Sequence, residues 1–214
     1  MPDAPILTMW DQFQTGGLTM WVLVLLSVAG LAAALERFVN FRPSRILSPD
    51  FAREADRLWQ EGAFDELAER CHERDSVLAR IVAAVVRYRD MPYRDVNLAA
   101  GEIASSAIKQ HLQRTYVLAI VATLSPLIGL FGTVIGMIEA FQVIAQTGTV
   151  GNAALVAGGI SKALTTTAAG LLVGIPALGL RHYFTSRIQR AAIDLEATAN
   201  DLMHRWFLGP AASR

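Results

Sequence analysis

TYVLAIVATLSPLIGLFGTVIGMIEAFQVIAQTGTVGNAALVAGGISKALTTTAAGLLVGIPALGL (Thr115–Leu180) is the stretch that decides the fold of this 214-residue chain. It contains only two charged residues, Glu139 and Lys162, and a short polar segment divides it into apolar runs at 116–145 and 155–180. Each run exceeds the roughly 20 residues that a helix rising about 1.5 Å per residue needs to cross a ~30 Å hydrocarbon core. The pattern therefore predicts a transmembrane hairpin.

Each predicted helix of the hairpin carries a stripe of small residues, and Gly132 lies beside the first stripe. The stripes repeat at i, i+4, i+7 and i+11, and they consist of Gly129, Thr133, Gly136 and Ala140 in the first run and of Ala163, Thr167, Gly170 and Gly174 in the second. Small residues let helix backbones approach closely in lipid, where the hydrophobic effect gives helices no reason to associate. The stripes predict packing against other helices. Because glycine is generally enriched in membrane helices, ordinary packing within one subunit is an equally open interpretation.

Two pairs of polar side chains lie at matched depth if the hairpin turns near position 150. Thr133 and Thr167 are each 17 residues from that turn, and Glu139 and Lys162 are 11 and 12 residues from it. A lone membrane threonine usually bonds to a carbonyl of its own helix, whereas two at one depth indicate a polar ring inside a bundle. Intramembrane charges are costly and indicate function. Either Glu139 and Lys162 neutralise each other as an ion pair, or Lys162 reaches the outer interface and Glu139 faces a water-filled vestibule.

Two segments of the hairpin, SPLIGLFGTVIGMIEAF (Ser125–Phe141) and GISKALTTTAAGLLVGIPA (Gly159–Ala177), resemble the signature helices of the MotA/TolQ/ExbB proton-channel family. The short length of the chain resembles ExbB or TolQ, and the resemblance covers most of the chain. It implies that Thr133 and Thr167 line a central pore, where they face an essential aspartate on the single transmembrane helix of an ExbD/TolR-type partner. The family commonly has Glu where this chain has Lys162, so the resemblance transfers no pore glutamate to that position.

A third apolar run, at 18–38, precedes the hairpin and predicts another transmembrane helix. The segment before it, 1–17, has no Lys or Arg, which argues against a cleavable signal and for an uncleaved signal anchor. Basic residues follow the run, and Lys and Arg accumulate on the cytoplasmic side of membranes. We therefore place the N-terminus and the loop 146–154 in the periplasm, and 43–115 and the C-terminal helix 181–208 in the cytoplasm. The resemblance implies the bacterial inner membrane.

The C-terminal segment carries a heptad seam that needs a partner. The seam residues are Ile188, Ala192, Leu195, Ala199, Leu202 and Trp206. Their partner is either the other cytoplasmic helices of the same chain, which helical periodicity predicts within 43–115, or a neighbouring subunit. The whole pattern predicts an all-α membrane protein with three transmembrane helices and long helical cytoplasmic extensions, assembling as a ring.

Composition and motifs argue against other classes of protein. An apolar content of 53% with a formal net charge of zero fits a small multi-span membrane protein, and it gives no basic excess for nucleic acid. The single cysteine, Cys71, excludes an intrachain disulfide. No HExxH motif, paired Cys/His spacing, GxxxxGKS/T or GxGxxG occurs in the sequence. We therefore predict no enzyme, no metal site and no cofactor.

The leading functional interpretation is a ring-forming subunit of a proton-driven motor in the inner membrane. The resemblance implies a homo-oligomer, a pentamer, which works with an ExbD/TolR-type single-span protein. It also implies that this complex energises a TonB- or TolA-like protein for outer-membrane transport or maintenance. The alternatives are a non-conducting structural membrane scaffold and an independent transporter. The transporter is disfavoured because three spans with no inverted repeat leave little room for alternating access.

Overall fold

The computed structural model describes residues 17–41, 46–147 and 153–209, and these residues form seven α-helices. In chain order the helices are α1 (Gly17–Asn40), α2 (Pro49–Gln60), α3 (Phe64–Glu73), α4 (Val77–Arg87), α5 (Tyr93–Gln113), α6 (Tyr116–Thr147) and α7 (Ala153–Leu208). The described residues contain no strand. Three helical stretches, in α1, in α5–α6 and in α7, are long and apolar enough to cross a membrane. The predicted all-α membrane fold is therefore confirmed, and its assembly as a ring stays a prediction.

The helix bounds can be set beside the predicted segments. The predicted spans 18–38 and 116–145 fall within α1 and α6, whereas the predicted third span 155–180 and C-terminal helix 181–208 form one uninterrupted helix, α7. The predicted N-terminal segment lies outside the described residues except for Gly17, and the centre of the predicted loop, 148–152, also lies outside them.

The second membrane helix does not continue into α5 as one helix. Thr115 bonds to the carbonyl of Leu112 through both its N–H, at 3.0 Å, and its hydroxyl, at 2.7 Å. An i to i−3 bond of this kind tightens the last helical turn. A turn at Arg114 and Thr115 therefore separates α5 from α6.

The chain divides into two compact units, which are here called the membrane unit and the extramembrane unit. The described part of the membrane unit comprises 17–36, 116–147 and 153–182, and that of the extramembrane unit comprises 37–41, 46–115 and 183–209. In the membrane unit, α1 approaches α6 closely at Gly30. If Gly30 carried a side chain, its Cβ would lie 3.1 Å from Val121 Cγ1. Val121, Ala122 and Ala177 form a buried cluster against which Leu26 of α1 packs. The three membrane helices thus share one apolar contact.

The extramembrane unit has its own buried core. Side chains of α2, α3 and α4 fill it, including Phe51, Leu58, Leu67, Ile81 and Val85. The seam residues Ile188, Leu195 and Leu202 are also buried within the single chain, so the chain's own helices cover most of the heptad seam. Cys71 is buried in the same unit, and desolvation raises the pKa of its thiol to about 11. The thiol therefore stays protonated at neutral pH and serves packing.

An aromatic contact fixes the end of α7 to α2. The indole rings of Trp59 and Trp206 stack with centroids 4.4 Å apart and planes 8° from parallel, and we call this pair the tryptophan stack. The Trp206 ring N–H donates to Asp56 Oδ1 at 2.9 Å, and Arg205 forms an ion pair with the same carboxylate. Because Trp59 and Asp56 both lie on α2, the last turns of α7 are held there by an apolar contact and by polar contacts together.

Candidate functional site

The two helices of the hairpin, α6 and α7, touch along their small-residue stripes. A Cβ on Gly170 would lie 2.5 Å from the Ser125 carbonyl oxygen, and a Cβ on Gly129 would lie 2.9 Å from the Thr166 carbonyl oxygen. Ordinary van der Waals contacts of carbon are about 3.5–4.0 Å, so only hydrogen fits at these glycines. The stripes therefore face each other within one chain, as the interpretation of packing within a subunit requires.

The same register extends from these contacts towards the loop that joins the two helices. A Cβ on Gly136 would lie 3.0 Å from Ala163 Cβ, and a Cβ on Gly159 would lie 2.6 Å from Ala140 Cβ. In both pairs the two residue numbers average 149.5, which is the register that a turn near position 150 predicts.

Thr133 and Thr167 are both half-buried, and each has its hydroxyl proton committed to a carbonyl. The Thr133 hydroxyl donates to the carbonyl of Leu130 in its own helix at 2.6 Å, and the Thr167 hydroxyl donates across the hairpin to the carbonyl of Gly129 at 3.1 Å. A carbonyl oxygen only accepts, so the lone pairs of both hydroxyls stay open as acceptors. In the described structure no hydrogen bond joins the two threonines to each other.

The sequence interpretation missed Thr166, which has 1% of its surface exposed and is the most buried of the hairpin threonines whose burial the structure describes. Its hydroxyl donates to the carbonyl of Ala163 at 2.8 Å and lies 3.4 Å from the carbonyl of Gly129. Gly132 makes room for it, since a Cβ there would lie 2.5 Å from the Thr166 hydroxyl oxygen. The spacing of Ala163, Thr166 and Gly170 at i, i+3 and i+7 was the available signal, because such positions share a helix face.

Polar groups that lack their ordinary hydrogen-bond partners also lie in the contact between α6 and α7. The hydroxyl of Ser125 is buried and has no hydrogen-bond partner among the described residues. Pro126 has no N–H, so the carbonyl of Ala122 lacks its helical donor. Gly174 lies beside Pro126 and the Ala122 carbonyl, because a Cβ added to Gly174 would be 2.7 Å from Pro126 Cγ and 3.3 Å from the Ala122 oxygen. Membrane proteins tolerate such groups where protein covers them, and α7 covers these.

Glu139 and Lys162 form an ion pair between the two helices. Lys162 Nζ lies 2.7 Å from Glu139 Oε2, and the two side chains are 26% and 51% exposed respectively within the single chain. The first residue of α1, Gly17, is nearby, since a Cβ there would lie 3.8 Å from Lys162 Nζ. The pair therefore sits where α1, α6 and α7 meet, and one side of it is uncovered.

Removing one member of this pair is expected to destabilise the protein more than removing both. Lys162→Met or Glu139→Gln alone leaves a charge in the membrane with no partner. Breaking a fully buried pair typically costs about 3–5 kcal/mol, so this partly exposed pair should cost less, whereas replacing both members can be nearly neutral. Thermal unfolding of the two single variants and the double variant in a mild detergent gives the coupling energy. Strictly additive effects would rule out the pairing as a source of stability.

The described residues contain no group of three or more His, Cys, Asp or Glu side chains that could hold a metal ion. His111 packs edge-on against Phe41, with ring centroids 6.4 Å apart, and His204 lies 3.5 Å from the Tyr93 hydroxyl. The groups that the hairpin offers for chemistry are hydroxyls, a carboxylate and an ammonium.

Comparison with known proteins places this hairpin in a family. Residues 73–197 match the family model described as the MotA/TolQ/ExbB proton channel family. The chain is 33% identical over 174 residues to biopolymer transport protein ExbB-like 1 of Synechocystis sp. This alignment covers 78% of this chain and 67% of the relative. It is 33% identical over 145 residues to biopolymer transport protein exbB1 of Vibrio cholerae, which covers 67% of this chain and 63% of the relative.

The sequence identity is higher over a shorter alignment with another relative. The chain is 48% identical over 71 residues to biopolymer transport protein ExbB of Salmonella typhimurium, which covers 33% of this chain and 29% of that protein. The chain thus spans about two thirds or less of the length of these curated relatives.

Proposed function

Because the chain belongs to the MotA/TolQ/ExbB proton channel family, we propose that it is the ring-forming subunit of a proton-driven motor in the bacterial inner membrane. Its partners in this proposal are further copies of itself, in a pentamer, and an ExbD/TolR-type protein with one transmembrane helix. The complex delivers energy to a TonB- or TolA-like protein for outer-membrane transport or maintenance. The N-terminus lies in the periplasm and the C-terminus in the cytoplasm.

The observation that carries this proposal is the pair of threonine hydroxyls whose protons are already committed. Thr133 donates to Leu130 and Thr167 donates to Gly129, so both hydroxyls offer only lone pairs to a further group. A carboxylic acid on a partner helix can donate its proton to such an acceptor, whereas a carboxylate cannot. The two hydroxyls therefore favour the protonated form of a carboxyl that passes them.

A protonated carboxyl is also the form that crosses an apolar region most cheaply, because burial of an isolated charge is very costly. In the proposed mechanism, the partner's carboxyl takes up a proton on one side of the membrane, passes Thr133 and Thr167 in neutral form and releases the proton on the other side. Each charge that moves through the potential yields ~2.3 kcal/mol per 100 mV. This energy drives movement of the partner helix within the ring.

The ion pair of Glu139 and Lys162 has a separate role in this proposal. Each of its charges is compensated by the other at 2.7 Å, so the pair keeps the hairpin neutral without carrying protons. It is a structural element of the ring, and the carboxyl that moves protons belongs to the partner.

The experiment is reconstitution of the chain with a one-span protein that carries an intramembrane aspartate. We expect the two proteins to co-purify in mild detergent, with a mass that corresponds to several copies of this chain. In vesicles with a pH-sensitive dye inside, an imposed potential should drive proton uptake by the complex and not by this chain alone.

The control for this experiment is the same complex with the partner's intramembrane Asp changed to Asn. That complex should assemble without conducting. A stable monomer that remains active, or an assembled complex that conducts no protons, would contradict the proposal, and the second result would favour the non-conducting membrane scaffold.

A further inference from the structure

A pocket of about 170 Å³ opens in the extramembrane unit between the start of α4 and the end of α5. One water occupies about 30 Å³ of liquid, so the pocket has room for a phosphate group together with its ester carbons. Its polar lining consists of Asp75, Ser76, Arg80, Gln110, His111 and Arg114.

Arg80 of α4 and Arg114 at the end of α5 bring two positive charges to this pocket. In the described structure neither guanidinium forms an ion pair or a side-chain hydrogen bond, whereas Arg70 and Arg205 each form at least one. Asp75, which also lines the pocket, has a partner already. Among the described residues, no carboxylate is therefore ion-paired with either guanidinium, and the two arginines outnumber the one carboxylate, Asp75, that lines the pocket.

The start of α4 adds further positive potential. Ser76 caps this 11-residue helix by accepting a hydrogen bond from the backbone N–H of Ala79 at 3.2 Å, and Ser76 and Val77 both line the pocket. The N-terminal end of a helix carries a partial positive charge and favours anions. The pocket combines this end with two arginines, and arginine binds phosphate oxygens in a bidentate manner.

The pocket lies next to the membrane along the chain. Arg114 is two residues before Tyr116, which opens α6 and is 66% exposed. Tyrosine is enriched where membrane helices meet the headgroup region, and basic pockets beside such helices bind the headgroups of anionic lipids. Along the chain, the pocket therefore adjoins the start of a membrane span, and the headgroups of lipids surround the ends of such spans.

We propose that this pocket, the headgroup pocket, binds the phosphodiester of an anionic phospholipid, with Arg80 and Arg114 as its ligands. Gln110 supplies an additional hydrogen-bond donor, and the start of α4 contributes the partial positive charge of its helix dipole. The proposal goes beyond the proposed motor function, and it does not depend on proton conduction. It requires only that the chain resides in a membrane.

The test uses the full chain in neutral detergent, titrated with phosphatidylglycerol or with phosphatidylcholine and followed by thermal unfolding. Phosphatidylglycerol should raise the unfolding temperature of the wild-type chain more than phosphatidylcholine does. The Arg80→Gln, Arg114→Gln double variant should bind phosphatidylglycerol at least about tenfold more weakly, because it loses the charge-assisted hydrogen bonds from both guanidinium groups to the phosphate. Both arginines are exposed, so the variant is expected to keep its helical circular dichroism.

The matched control is the Arg94→Gln, Lys109→Gln double variant, which removes the same charge from α5 outside the pocket. It should bind phosphatidylglycerol as the wild type does. An equal loss of affinity in both double variants would show diffuse attraction and overturn the proposal. If the glutamine variant fails to fold, Arg80→Lys, Arg114→Lys replaces it. This variant keeps the charge without the bidentate geometry, and affinity at the wild-type level would again overturn the proposal.

Inorganic phosphate separates a lipid headgroup from a free anion. We expect sodium phosphate to give no stabilisation that depends on Arg80 and Arg114 at concentrations where phosphatidylglycerol is effective. If phosphate alone reproduces the effect of the lipid, the pocket is a site for free anions and the lipid assignment is wrong. Equal effects of phosphatidylglycerol and phosphatidylcholine would overturn it as well.

Discussion

Replacing Gly170 by alanine is expected to separate the two helices of the hairpin. The added methyl group would lie 2.5 Å from the carbonyl oxygen of Ser125 and 3.0 Å from Gly129 Cα, and both are backbone atoms that no side-chain rotation can move. Overpacking typically costs about 1–3 kcal/mol and occasionally more. We expect a cost at or above the upper end, measured as a fall in unfolding temperature and in the yield of folded protein in mild detergent.

The chain supplies matched controls for this change. Gly158 and Gly179 also lie in α7, and a Cβ at either position meets nothing within 4 Å. Because alanine has a higher intrinsic helix propensity than glycine, Gly158→Ala and Gly179→Ala should be neutral or slightly stabilising. If Gly170→Ala unfolded at the same temperature as these controls, the close contact of α6 and α7 would not be a source of stability.

The Thr133→Val, Thr167→Val double variant is expected to abolish proton-driven activity and to leave assembly intact. Valine keeps the shape of threonine and removes the lone pairs that are proposed to hold the partner's carboxyl. The stability cost should be small, because a side-chain hydrogen bond between membrane helices contributes only ~0.6 kcal/mol on average. The measurements are proton uptake by reconstituted vesicles and the mass of the complex.

Thr165→Val provides the control for loss of a membrane hydroxyl. Thr165 lies in the same helix and donates to the carbonyl of Ser161 at 2.9 Å, without a contact to α6 among the described hydrogen bonds. Its valine variant should conduct protons at the wild-type rate. Full activity of the Thr133→Val, Thr167→Val double variant would refute the role of these hydroxyls in the proton pathway.

The hairpin and its register could be predicted from the sequence because they depend on local properties. The length of the apolar runs indicates where a membrane can be crossed, and the periodicity of Gly129, Gly136, Gly170 and Gly174 indicates which face is small. The periodicity does not say whether the opposing surface belongs to the same chain. In the structure that surface is the other helix of the hairpin.

The interior of the site was less accessible to sequence analysis. Three threonines follow one another at positions 165 to 167, and each step turns the side chain by about 100° around the helix axis. The spacing of Ala163, Thr166 and Gly170 is compatible with a buried Thr166, and the packing against Gly132 shows that Thr166 is the buried one. The sequence left the continuation of α7 past Arg181 open, because the change there from apolar to charged residues need not mark a helix end; in the structure the helix continues to Leu208.

The headgroup pocket depends on tertiary structure alone. Arg80 and Arg114 are far apart in sequence, and neither belongs to a motif. Their proximity follows from the packing of α4 against α5, so a reading of charges along the chain finds only two more surface arginines.

The tryptophan stack gives this protein an optical signal of its own. Two parallel indoles with centroids 4.4 Å apart share their electronic excitation, so the absorption, near-ultraviolet circular dichroism and emission of Trp59 and Trp206 are those of a coupled pair. Release of the end of α7 from α2 would uncouple them, and the spectrum would return to the sum of isolated indoles. Because Trp10 and Trp21 also absorb and emit, this uncoupling appears as a difference spectrum, and it reports the docking of the helix end with no label attached.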